Sequence, residues 1–394
     1  MADSTSSLTI AMVAGETSGD QLGASLISEI KKREPNAEFI GLGGRSMISL
    51  GFPEKHDIEI LSVNGFFDPM LRLPSLIRLL FKLRREIILR QPDCFVGIDS
   101  NFFNLILAGM LKKKGIKTVQ YVSPSIWAWR EGRTKKIARR IDLVLTLYPF
   151  EAVAYNEKSV KAIFVGHPKV AEYSNNDYDS LKIAVRQDLG IGMEKLVLAI
   201  LPGSRRSEVA RSGRDFLETA LKLGDKIDRF LIPAANVKRY QQLFSMLADY
   251  PELQGKVRLF QGKSKEIMAA ADVVLVNSGT ATLEAMLLRK PMIMSYRLGR
   301  LTHFIVSRLV KTKYFALPNI LAGEKIIPEF IQNEADPERM AKAVKSLLSG
   351  NRVDELMDRY NELQLMLSSS QGEGREASEA VLAFCRNGID GLAQ

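Results

Sequence analysis

Residues 271–297 constrain the fold of this chain more than any other stretch. The apolar run 273–276 fits a strand that is buried on both faces, and the tight turn 277–279 (Asn-Ser-Gly) leads into a helical pattern that begins at Thr280. A buried strand that is followed at once by a helix is half of a βαβ unit. The stretch therefore predicts a parallel sheet with helices on its faces.

The turn between this strand and this helix is suited to binding a diphosphate. The first backbone N–H groups of a helix lack intrahelical partners and lie at the positive end of the helix dipole, and Gly279 lets a ligand approach the backbone. Glu284, one turn into the helix, could accept hydrogen bonds from a ribose diol beside the phosphates. The alternative is an ordinary first-turn acid that the dipole favours.

Similar strand and helix patterns alternate along most of the chain, in two series that the polar segment 171–180 separates. The predicted strands of the first series are residues 8–14, 38–42, 94–98, 117–122, 142–147 and 162–165, and those of the second are 196–201, 230–233, 257–260, 273–276 and 292–295. We predict an α/β fold with two doubly wound Rossmann-like domains, 1–170 and 181–394. Their strand ends would face a cleft, where ligands of such sheets bind.

Composition narrows the class of protein. The length of 394 residues allows two domains, and 46% hydrophobic with 25% charged residues is typical of soluble globular chains. The formal charge of +10 indicates an acidic partner, such as nucleotide phosphate, anionic lipid or nucleic acid. No window offers the ~18 uncharged apolar residues of a membrane span, and the N-terminal residues lack the apolar core of a signal peptide. We therefore expect a cytoplasmic location.

Residue spacing disfavours several kinds of site. The glycines of segment 15–23 do not form the G-x-G-x-x-G pattern of dinucleotide-binding proteins. The two cysteines, Cys94 and Cys385, are far apart in sequence and predict no disulfide framework, which suits a reducing compartment. No pair of the three histidines has metal-ligand spacing, and no acidic cluster indicates a divalent cation. We therefore expect neither a metal ion nor a cofactor.

Three residues are candidates for a catalytic base. Asp99 follows strand 94–98 at its carboxyl end and precedes two phenylalanines, so a partly desolvated carboxylate there suits general-base chemistry; the alternative is an N-cap for the next helix. His167 closes strand 162–165, where the alternative is a hinge residue. Asp20, at the end of the glycine-containing turn 15–20, is the third candidate.

Two loops carry candidate substrate contacts. Arg205 and Arg206 follow a strand end and a glycine, from which a guanidinium could reach a phosphate; the alternative is a solvated turn. Trp127 and Trp129 lie together in the strand-end loop 123–129. They could stack on a sugar or cover an apolar substrate, and simple packing is the alternative.

The pattern of residues 74–90 predicts a basic amphipathic helix. Leucines and isoleucines spread over a wide face, while Arg78, Lys82 and Arg85 form a stripe at i, i+4 and i+7. The apolar residues Phe66 and Phe67 precede the helix. We predict that this segment docks on an anionic bilayer, the alternative being a helix that covers the sheet.

Six blocks of sequence, in this order along the chain, resemble the lipid-A-disaccharide synthases, which are glycosyltransferases of the two-domain GT-B type. The blocks are residues 14–20 (Ala-Gly-Glu-Thr-Ser-Gly-Asp), 123–129, 164–168, 201–208, 278–285 and 317–323. The resemblance implies inverting, metal-independent transfer from UDP-2,3-diacylglucosamine to 2,3-diacylglucosamine 1-phosphate, giving lipid A disaccharide 1-phosphate and UDP. It also implies a peripheral location on the inner face of the cytoplasmic membrane, no nucleic-acid partner and, as one assembly, a homodimer.

The local patterns and the resemblance together give candidate roles to individual residues. The UDP-binding candidates are Gly203, Ser204, Arg205, Arg206, Ser278, Gly279, Thr280, Thr282, Glu284 and Asn319. The candidates on the acceptor side are Glu16, Ser18, Gly19 and Trp127, beside the catalytic candidates Asp99, Asp20 and His167. The candidates for membrane contact are Phe66, Phe67, Leu76, Leu79, Leu80 and Leu83.

The chain departs from the family pattern at two places. After Asp99 the family commonly reads x-Pro-Asp-Phe, whereas residues 100–103 here are Ser-Asn-Phe-Phe, so a second acid is missing at Phe102. After Gly-His-Pro, residues 169–171 are Lys-Val-Ala where Leu-Ala-Asp is usual. The rival functions are a UDP-sugar epimerase of the same fold, which needs no lipid acceptor, and a basic nucleic-acid-binding protein.

Overall fold

The computed structural model describes residues 7–15, 17–54, 61, 68–124, 132–156, 160–174, 177–299, 313–350, 353–368 and 374–392. The chain divides into two compact units, one formed by Met1–Ala171 with Leu367–Gln394 and the other by Glu172–Met366. The chain leaves the first unit at the start of the polar segment that we expected to be a linker. Residues 367–394, which the sequence analysis placed in the second domain, belong to the first unit instead.

The first unit is built on a six-stranded parallel sheet in the order β2-β1-β3-β4-β5-β6. The strands are β1 (Thr9–Ala14), β2 (Glu38–Leu42), β3 (Cys94–Ile98), β4 (Lys117–Tyr121), β5 (Leu143–Thr146) and β6 (Lys161–Phe164). The helices are α1 (Thr17–Arg33), α2 (Arg45–Ile48), α3 (Asp68–Arg90), α4 (Asn101–Lys112), α5 (Gly132–Ala138), α6 (Pro149–Asn156) and α7 (Pro168–Ser174). The chain continues from β1 to β2 on one side and returns to β3 on the other, so the strand order reverses between β1 and β3.

Alternate residues of the strands enter two different cores, as the pleat of a strand requires. On one face, Ile10 and Met12 of β1 pack with α1 residues such as Leu26. On the other face, Ala11 and Val13 pack with residues of α3 and α4. Burial on both faces explains why these strands are continuous apolar runs in the sequence.

The structure corrects the predicted membrane face of α3. Leu79, Leu80 and Leu83 are only 6%, 8% and 0% exposed and belong to the core of the sheet, and Leu76 is partly buried against the same core. These leucines cover the sheet, which is the alternative that the sequence analysis left open, so their assignment to a membrane surface is wrong. Phe66 and Phe67 lie outside the described residues.

The C-terminal helix, residues Arg375–Asn387, packs on α1 and completes the first core with Ala377, Val381 and Phe384. Its Cys385 forms a disulfide with Cys94 of β3, and the two Cα atoms are 5.7 Å apart. The expectation that these cysteines do not pair is therefore wrong. The apolar face of this helix needs the sheet of the first unit for burial, which explains why the segment does not belong to the second unit.

The second unit has a parallel six-stranded sheet in the order β12-β11-β10-β7-β8-β9. The strands are β7 (Val197–Leu201), β8 (Arg229–Ala234), β9 (Val257–Gln261), β10 (Val273–Asn277), β11 (Met292–Tyr296) and β12 (Glu329–Ile331). Its helices are α8 (Tyr178–Leu189), α9 (Arg206–Leu223), α10 (Val237–Leu247), α11 (Ser264–Ala270), α12 (Thr280–Leu287), α13 (Leu317–Ala322), α14 (Pro337–Leu348) and α15 (Val353–Leu367). The C-terminal helix of the first unit is numbered α16. Here the strand order reverses between β7 and β10.

The predicted fold class, two doubly wound parallel α/β sheets, is confirmed. The sequence analysis missed β12, because a strand of three residues is too short to show a pattern. None of the helices in the described part of the chain combines the length and the apolar character that crossing a bilayer requires.

Candidate active site

A cavity of about 420 Å³ opens at the carboxyl ends of β7 and β10, where the strand order of the second sheet reverses. Ligands of doubly wound sheets bind at such positions. The cavity is lined by Leu201, Gly203, Ser204, Arg205, Glu208, Pro233, Ala234, Ala235, Gly262, Ser264, Asn277, Ser278, Gly279, Thr280, Ala281 and Glu284. The N-termini of α9 and α12 both start at this lining, so the cavity combines two helix dipoles with free space.

Each of the two turns that form this cavity contains a glycine with a positive φ. Gly279 has φ +151°, and a Cβ added there would meet no atom within 4 Å, so the backbone faces open space. Gly203 has φ +118°, and an added Cβ would lie 2.6 Å from Cβ of Glu208 and 2.9 Å from Nδ2 of Asn277. Both turns therefore need glycine, the first for access and the second for close packing.

Asn277 joins the two turns, a role that the sequence analysis missed. Its side-chain amide donates to the carbonyl oxygen of Pro202 at 3.2 Å, and its amide oxygen accepts the N–H of Ser278 at 3.1 Å. The side chain is nearly completely buried. A polar residue at the end of an apolar strand was the available signal, because a strand-end amide can bind the neighbouring turn.

Glu208 caps the N-terminus of α9 at the edge of the cavity. Its Oε2 accepts the N–H groups of Ser204 at 3.0 Å and Arg205 at 3.1 Å, and its Oε1 forms an ion pair with the Arg205 guanidinium at 2.8 Å. The Arg205 side chain is 80% exposed, so it is free to reorient toward a ligand. Glu208 lies in a block that carries the family resemblance, but no role was predicted for it.

Seven of the predicted UDP-binding residues line the cavity. They are Gly203, Ser204, Arg205, Ser278, Gly279, Thr280 and Glu284. The other three, Arg206, Thr282 and Asn319, do not line it. Arg206 is exposed outside the cavity at the first residue of α9.

Thr282 and Asn319 are buried and hold the structure behind the cavity. Thr282 Oγ1 donates to the carbonyl oxygen of Gly279 at 2.8 Å and accepts the N–H of Leu317 at 3.3 Å. Asn319 accepts two backbone N–H groups, at 2.8 and 2.9 Å, and donates to the carboxylate of Glu329 at 2.8 Å. The structure therefore gives these two residues a supporting position instead of direct access to a nucleotide.

Asp99 lies at the reversal point of the first sheet, directly after β3. Its φ is +52° and that of Ser100 is +42°, a region that L-residues seldom occupy. Oδ2 of Asp99 accepts the hydroxyl of Ser18 at 3.0 Å, and Oδ1 accepts the N–H of Ser100 at 2.9 Å. The carboxylate is half-buried, and the N-cap of α4 is Ser100, so Asp99 is not the helix cap that the sequence analysis considered.

Two glycines, the predicted Gly19 and Gly15, for which no role was predicted, leave room for this turn. A Cβ added at Gly19 would lie 3.2 Å from the carbonyl oxygen of Ile98 and 3.4 Å from Cβ of Asp99. A Cβ added at Gly15 would overlap the side chain of Ser100. The glycine-containing segment 15–20 therefore positions the Asp99 turn and brings Ser18 to its carboxylate.

The other two candidate bases are engaged in structural contacts. Asp20 is buried, and its carboxylate accepts the N–H groups of Gly44, Ser46 and Met47 at 2.8, 2.8 and 3.1 Å, which anchors α2. Its three bonds leave little of the carboxylate for a substrate.

His167 is also buried, at the point where the chain leaves the first unit. Its backbone N–H donates to the carbonyl oxygen of Leu367. In the ring, Nδ1 accepts the backbone N–H of Lys169 at 3.2 Å, and the ring packs on Tyr148. Burial, aided by the charge of Lys169, lowers the pKa of His167 to about 4, so the ring is neutral at pH 7. These contacts fit the hinge alternative better than catalysis.

Two predicted acceptor-side residues, Glu16 and Trp127, lie outside the described residues. In the part of the chain that the structure covers, no group of three or more histidine, cysteine, aspartate or glutamate residues is arranged to hold a metal ion.

Comparison with known proteins identifies the family. The family model of lipid-A-disaccharide synthetase matches residues 10–383. The lipid-A-disaccharide synthase of Cellvibrio japonicus is 47% identical over 339 residues, covering 86% of this chain and 87% of that protein. The enzyme of Saccharophagus degradans is 41% identical over 377 residues, covering 94% of each chain. This chain belongs to the lipid-A-disaccharide synthase family.

Solved structures confirm the fold. The UDP-GlcNAc 2-epimerase from Neisseria meningitidis bound to UDP-GlcNAc superposes with a TM-score of 0.65 at 14% identity, covering 96% of this chain and 100% of that one. MurG of Acinetobacter baumannii superposes with a TM-score of 0.57 at 12% identity, covering 96% and 99%. These likenesses show the fold alone. Family membership makes the protein a glycosyltransferase of lipid A biosynthesis, as its motifs predicted, and favours neither the epimerase nor the nucleic-acid-binding alternative.

Proposed function

We propose that this enzyme transfers the diacylglucosaminyl group of UDP-2,3-diacylglucosamine to 2,3-diacylglucosamine 1-phosphate in a single displacement. The acceptor hydroxyl oxygen attacks the anomeric carbon, the bond from that carbon to UDP breaks, and the hydroxyl proton passes to a protein base. The anomeric configuration inverts because one displacement occurs. The products are lipid A disaccharide 1-phosphate and UDP.

The cavity between the β7 and β10 turns is the proposed UDP site, and it is the observation that carries the proposal. The N-termini of α9 and α12 both bring positive dipole ends to the diphosphate, and the first turn of α12 adds backbone N–H groups. The guanidinium of Arg205 can add a charge-assisted bond to a phosphate oxygen, and the carboxylate of Glu284 can accept the ribose hydroxyls. Stabilising the departing UDP in this way lowers the barrier to transfer.

Asp99 is the proposed general base. Asp20 and His167 are buried and engaged in structural contacts, whereas the carboxylate of Asp99 is only half-buried and anchors no helix. The turn of Asp99 also has the strained backbone that is typical of functional residues. The hydroxyl of Ser18 orients one carboxylate oxygen. Ser18 and Gly19 remain predicted acceptor-side residues, and Glu16 and Trp127 stay predictions that lie outside the described residues.

We also propose that the enzyme works at the inner face of the cytoplasmic membrane, and that α3 makes the contact. Three of its exposed apolar side chains, Leu73, Ile77 and Phe81, are 50%, 46% and 52% exposed and repeat every four residues on one side of the helix. The neighbouring stripe of Arg78, Lys82 and Arg85 is exposed and suits anionic headgroups.

The chemistry of the substrate supports this location. Burial of a lipid chain contributes about 0.8 kcal/mol per methylene, so drawing two acyl chains of about ten methylenes each fully into water would cost on the order of 15 kcal/mol. An enzyme that comes to the bilayer avoids most of this cost.

The test of the proposed reaction is mass spectrometry of the products formed from UDP-diacylglucosamine and the monosaccharide 1-phosphate. The expected product is a tetraacyl disaccharide phosphate, formed in equal amount to UDP and only when both substrates are present. Release of UDP without any disaccharide, or epimerisation of the donor sugar in the absence of the acceptor, would overturn the proposal.

A further inference from the structure

The backbone has an unfavourable conformation directly after two neighbouring strands, β3, which leads to Asp99, and β4. Asp99 and Ser100, after β3, have φ values of +52° and +42°, and Val122, after β4, has φ +75°. A positive φ is unfavourable for any side chain with a Cβ and most of all for a β-branched one such as Val122. Such residues persist only where the surrounding structure over-determines them.

Two completely buried side-chain amides contact this turn. Nδ2 of Asn104, on α4, donates to the carbonyl oxygens of Asp99 at 2.9 Å, Val13 at 3.1 Å and Ile98 at 3.2 Å. Nε2 of Gln120, on β4, donates to the carbonyl oxygen of Asp99 at 3.2 Å. Two amides from different elements therefore converge on one carbonyl oxygen, that of the proposed base.

The same amides contact the ends of the adjacent strands. Asn104 joins the end of β1, through Val13, to the end of β3. Nε2 of Gln120 also donates to the carbonyl oxygen of Val122, after β4, at 3.3 Å. These strand ends flank the point where the strand order reverses. A buried carbonyl that leaves the sheet needs a partner, and an apolar side chain at position 104 or 120 would supply none.

The sheet also leaves space for this pair. Gly97, in the middle of β3, lies against both amides: an added Cβ would be 2.8 Å from Cβ of Asn104 and 3.0 Å from Oε1 of Gln120. Any larger residue at position 97 would displace one of them. A glycine inside a strand often marks such a close approach.

We propose that Asn104 and Gln120 are positioning residues that fix the carboxylate of Asp99 for the transfer reaction. Both are fully buried, so neither touches the substrate, and they act through the backbone of Asp99. The proposal rests on the proposed function of Asp99 as the base. Because misplacing a catalytic group by about 1 Å can lower a rate by roughly 10²-fold, loss of either amide should reduce turnover more than it reduces substrate binding.

The test uses Asn104→Leu, which keeps a similar size and removes the donor, in the full-length enzyme. We expect kcat to fall by about 10- to 100-fold, with the KM of the UDP donor and the Kd of UDP measured by calorimetry within about two-fold of wild type. The matched control is Thr118→Val at the opposite end of β4, where a buried hydroxyl donates to the carbonyl oxygen of Arg140. This control should keep kcat within about two-fold.

A double variant tells positioning from a general loss of structure. In an Asp99→Asn background, adding Asn104→Leu should lower kcat by less than about two-fold, since residues that act as one unit are not additive. A full multiplicative loss in that background, or an unchanged kcat in Asn104→Leu itself, would overturn the proposal. Normal turnover of Asp99→Asn alone would instead refute the role of Asp99 as the base.

Gln120→Met provides a second variant on another element, with the same expected results. It replaces Asn104→Leu in the test if that variant does not fold. Loss of the folded state in both variants, seen by circular dichroism, would identify the amides as residues that the fold itself requires and would also overturn the proposal.

Discussion

The carboxylate of Glu208 binds Arg205 twice, through the guanidinium at 2.8 Å and through the backbone N–H at 3.1 Å. A diphosphate that enters the cavity would compete for the same guanidinium. Since the Arg205 side chain is largely exposed, the ion pair adds little to stability and is easily exchanged. The Glu208 contact therefore keeps a cation at the edge of the cavity without fixing it there.

Arg205→Ala and Glu284→Ala should each weaken UDP binding by about 1.5 to 3 kcal/mol, the range for hydrogen bonds that involve a charged group. Isothermal calorimetry with UDP measures this directly. Arg206→Ala is the matched control, because Arg206 is the next residue along the chain and does not line the cavity. Unchanged UDP affinity in both variants, or an equal loss in the control, would show that the nucleotide binds elsewhere.

Asp99→Asn should lower turnover by ~10²-fold or more while UDP affinity stays nearly unchanged, as expected when a general base is lost. Steady-state rates with both lipid substrates and UDP calorimetry provide the measurements. Asp20→Asn serves as the comparison, since its carboxylate anchors α2 and its replacement should lower the thermal midpoint. If Asp99→Asn kept more than about a third of normal turnover, the assignment of the base would be wrong.

The stability of the first unit should fall at acidic pH because of His167. Its pKa is lowered to about 4 in the folded protein from an ordinary 6.5, so the unfolded chain binds the proton more readily. Above pH 6.5 the ring is neutral in both states, and the free energy of unfolding is not reduced. As the pH falls toward 4, protonation of the unfolded chain lowers the free energy of unfolding, by about 2 kcal/mol between pH 7 and pH 5.

Replacing the ring isolates this effect. His167→Gln should lose less thermal stability between pH 7 and pH 5 than wild type does, as measured by calorimetry at both values. Equal losses in the two proteins would mean that the ring is not held neutral by burial.

Serine substitutions on the two sides of α3 should have opposite consequences. Changing Leu73, Ile77 and Phe81 to serine should release the protein from anionic vesicles, with the fold and UDP binding intact, because these side chains are exposed. Vesicle sedimentation and activity on bilayer-embedded substrate measure the effect.

The matched control changes three leucines of the same helix, Leu79, Leu80 and Leu83, to serine. These leucines are core residues, and truncating each should cost roughly 2 to 5 kcal/mol, so this variant should unfold. If the exposed-face variant stays folded and still sediments with vesicles, the docking site lies elsewhere.

The sequence predicted the strands and the glycine turns that line the cavity because both depend on local patterns. A run such as 273–276 reports burial on both faces, and the glycine turn after it reports the start of a helix. The buried side of α3 could not be read in the same way. Apolar residues occur around most of its circumference, at 73, 76, 77, 79, 80, 81 and 83, so periodicity alone does not choose a face.

The contacts of several individual side chains were not predicted, for a different reason. Asp20 binds backbone groups 24 to 27 residues later in the chain, and Cys94 pairs with a cysteine 291 residues away. Asn104 and Gln120 act on carbonyl oxygens that the sequence alone does not bring near them. Contacts of this kind follow from the order of strands in the sheet, which no local pattern contains.

The return of α16 to the first sheet has a consequence for synthesis. Val381 and Phe384 complete a core whose other members, such as Met12 and Leu26, leave the ribosome about 360 residues earlier, which corresponds to roughly 20 to 70 seconds of translation. The second unit, Glu172–Met366, is continuous in sequence and is complete before α16 emerges. The sheet of the second unit can therefore be completed before the core of the first unit, and the apolar face of α1 needs protection from aggregation until α16 has emerged.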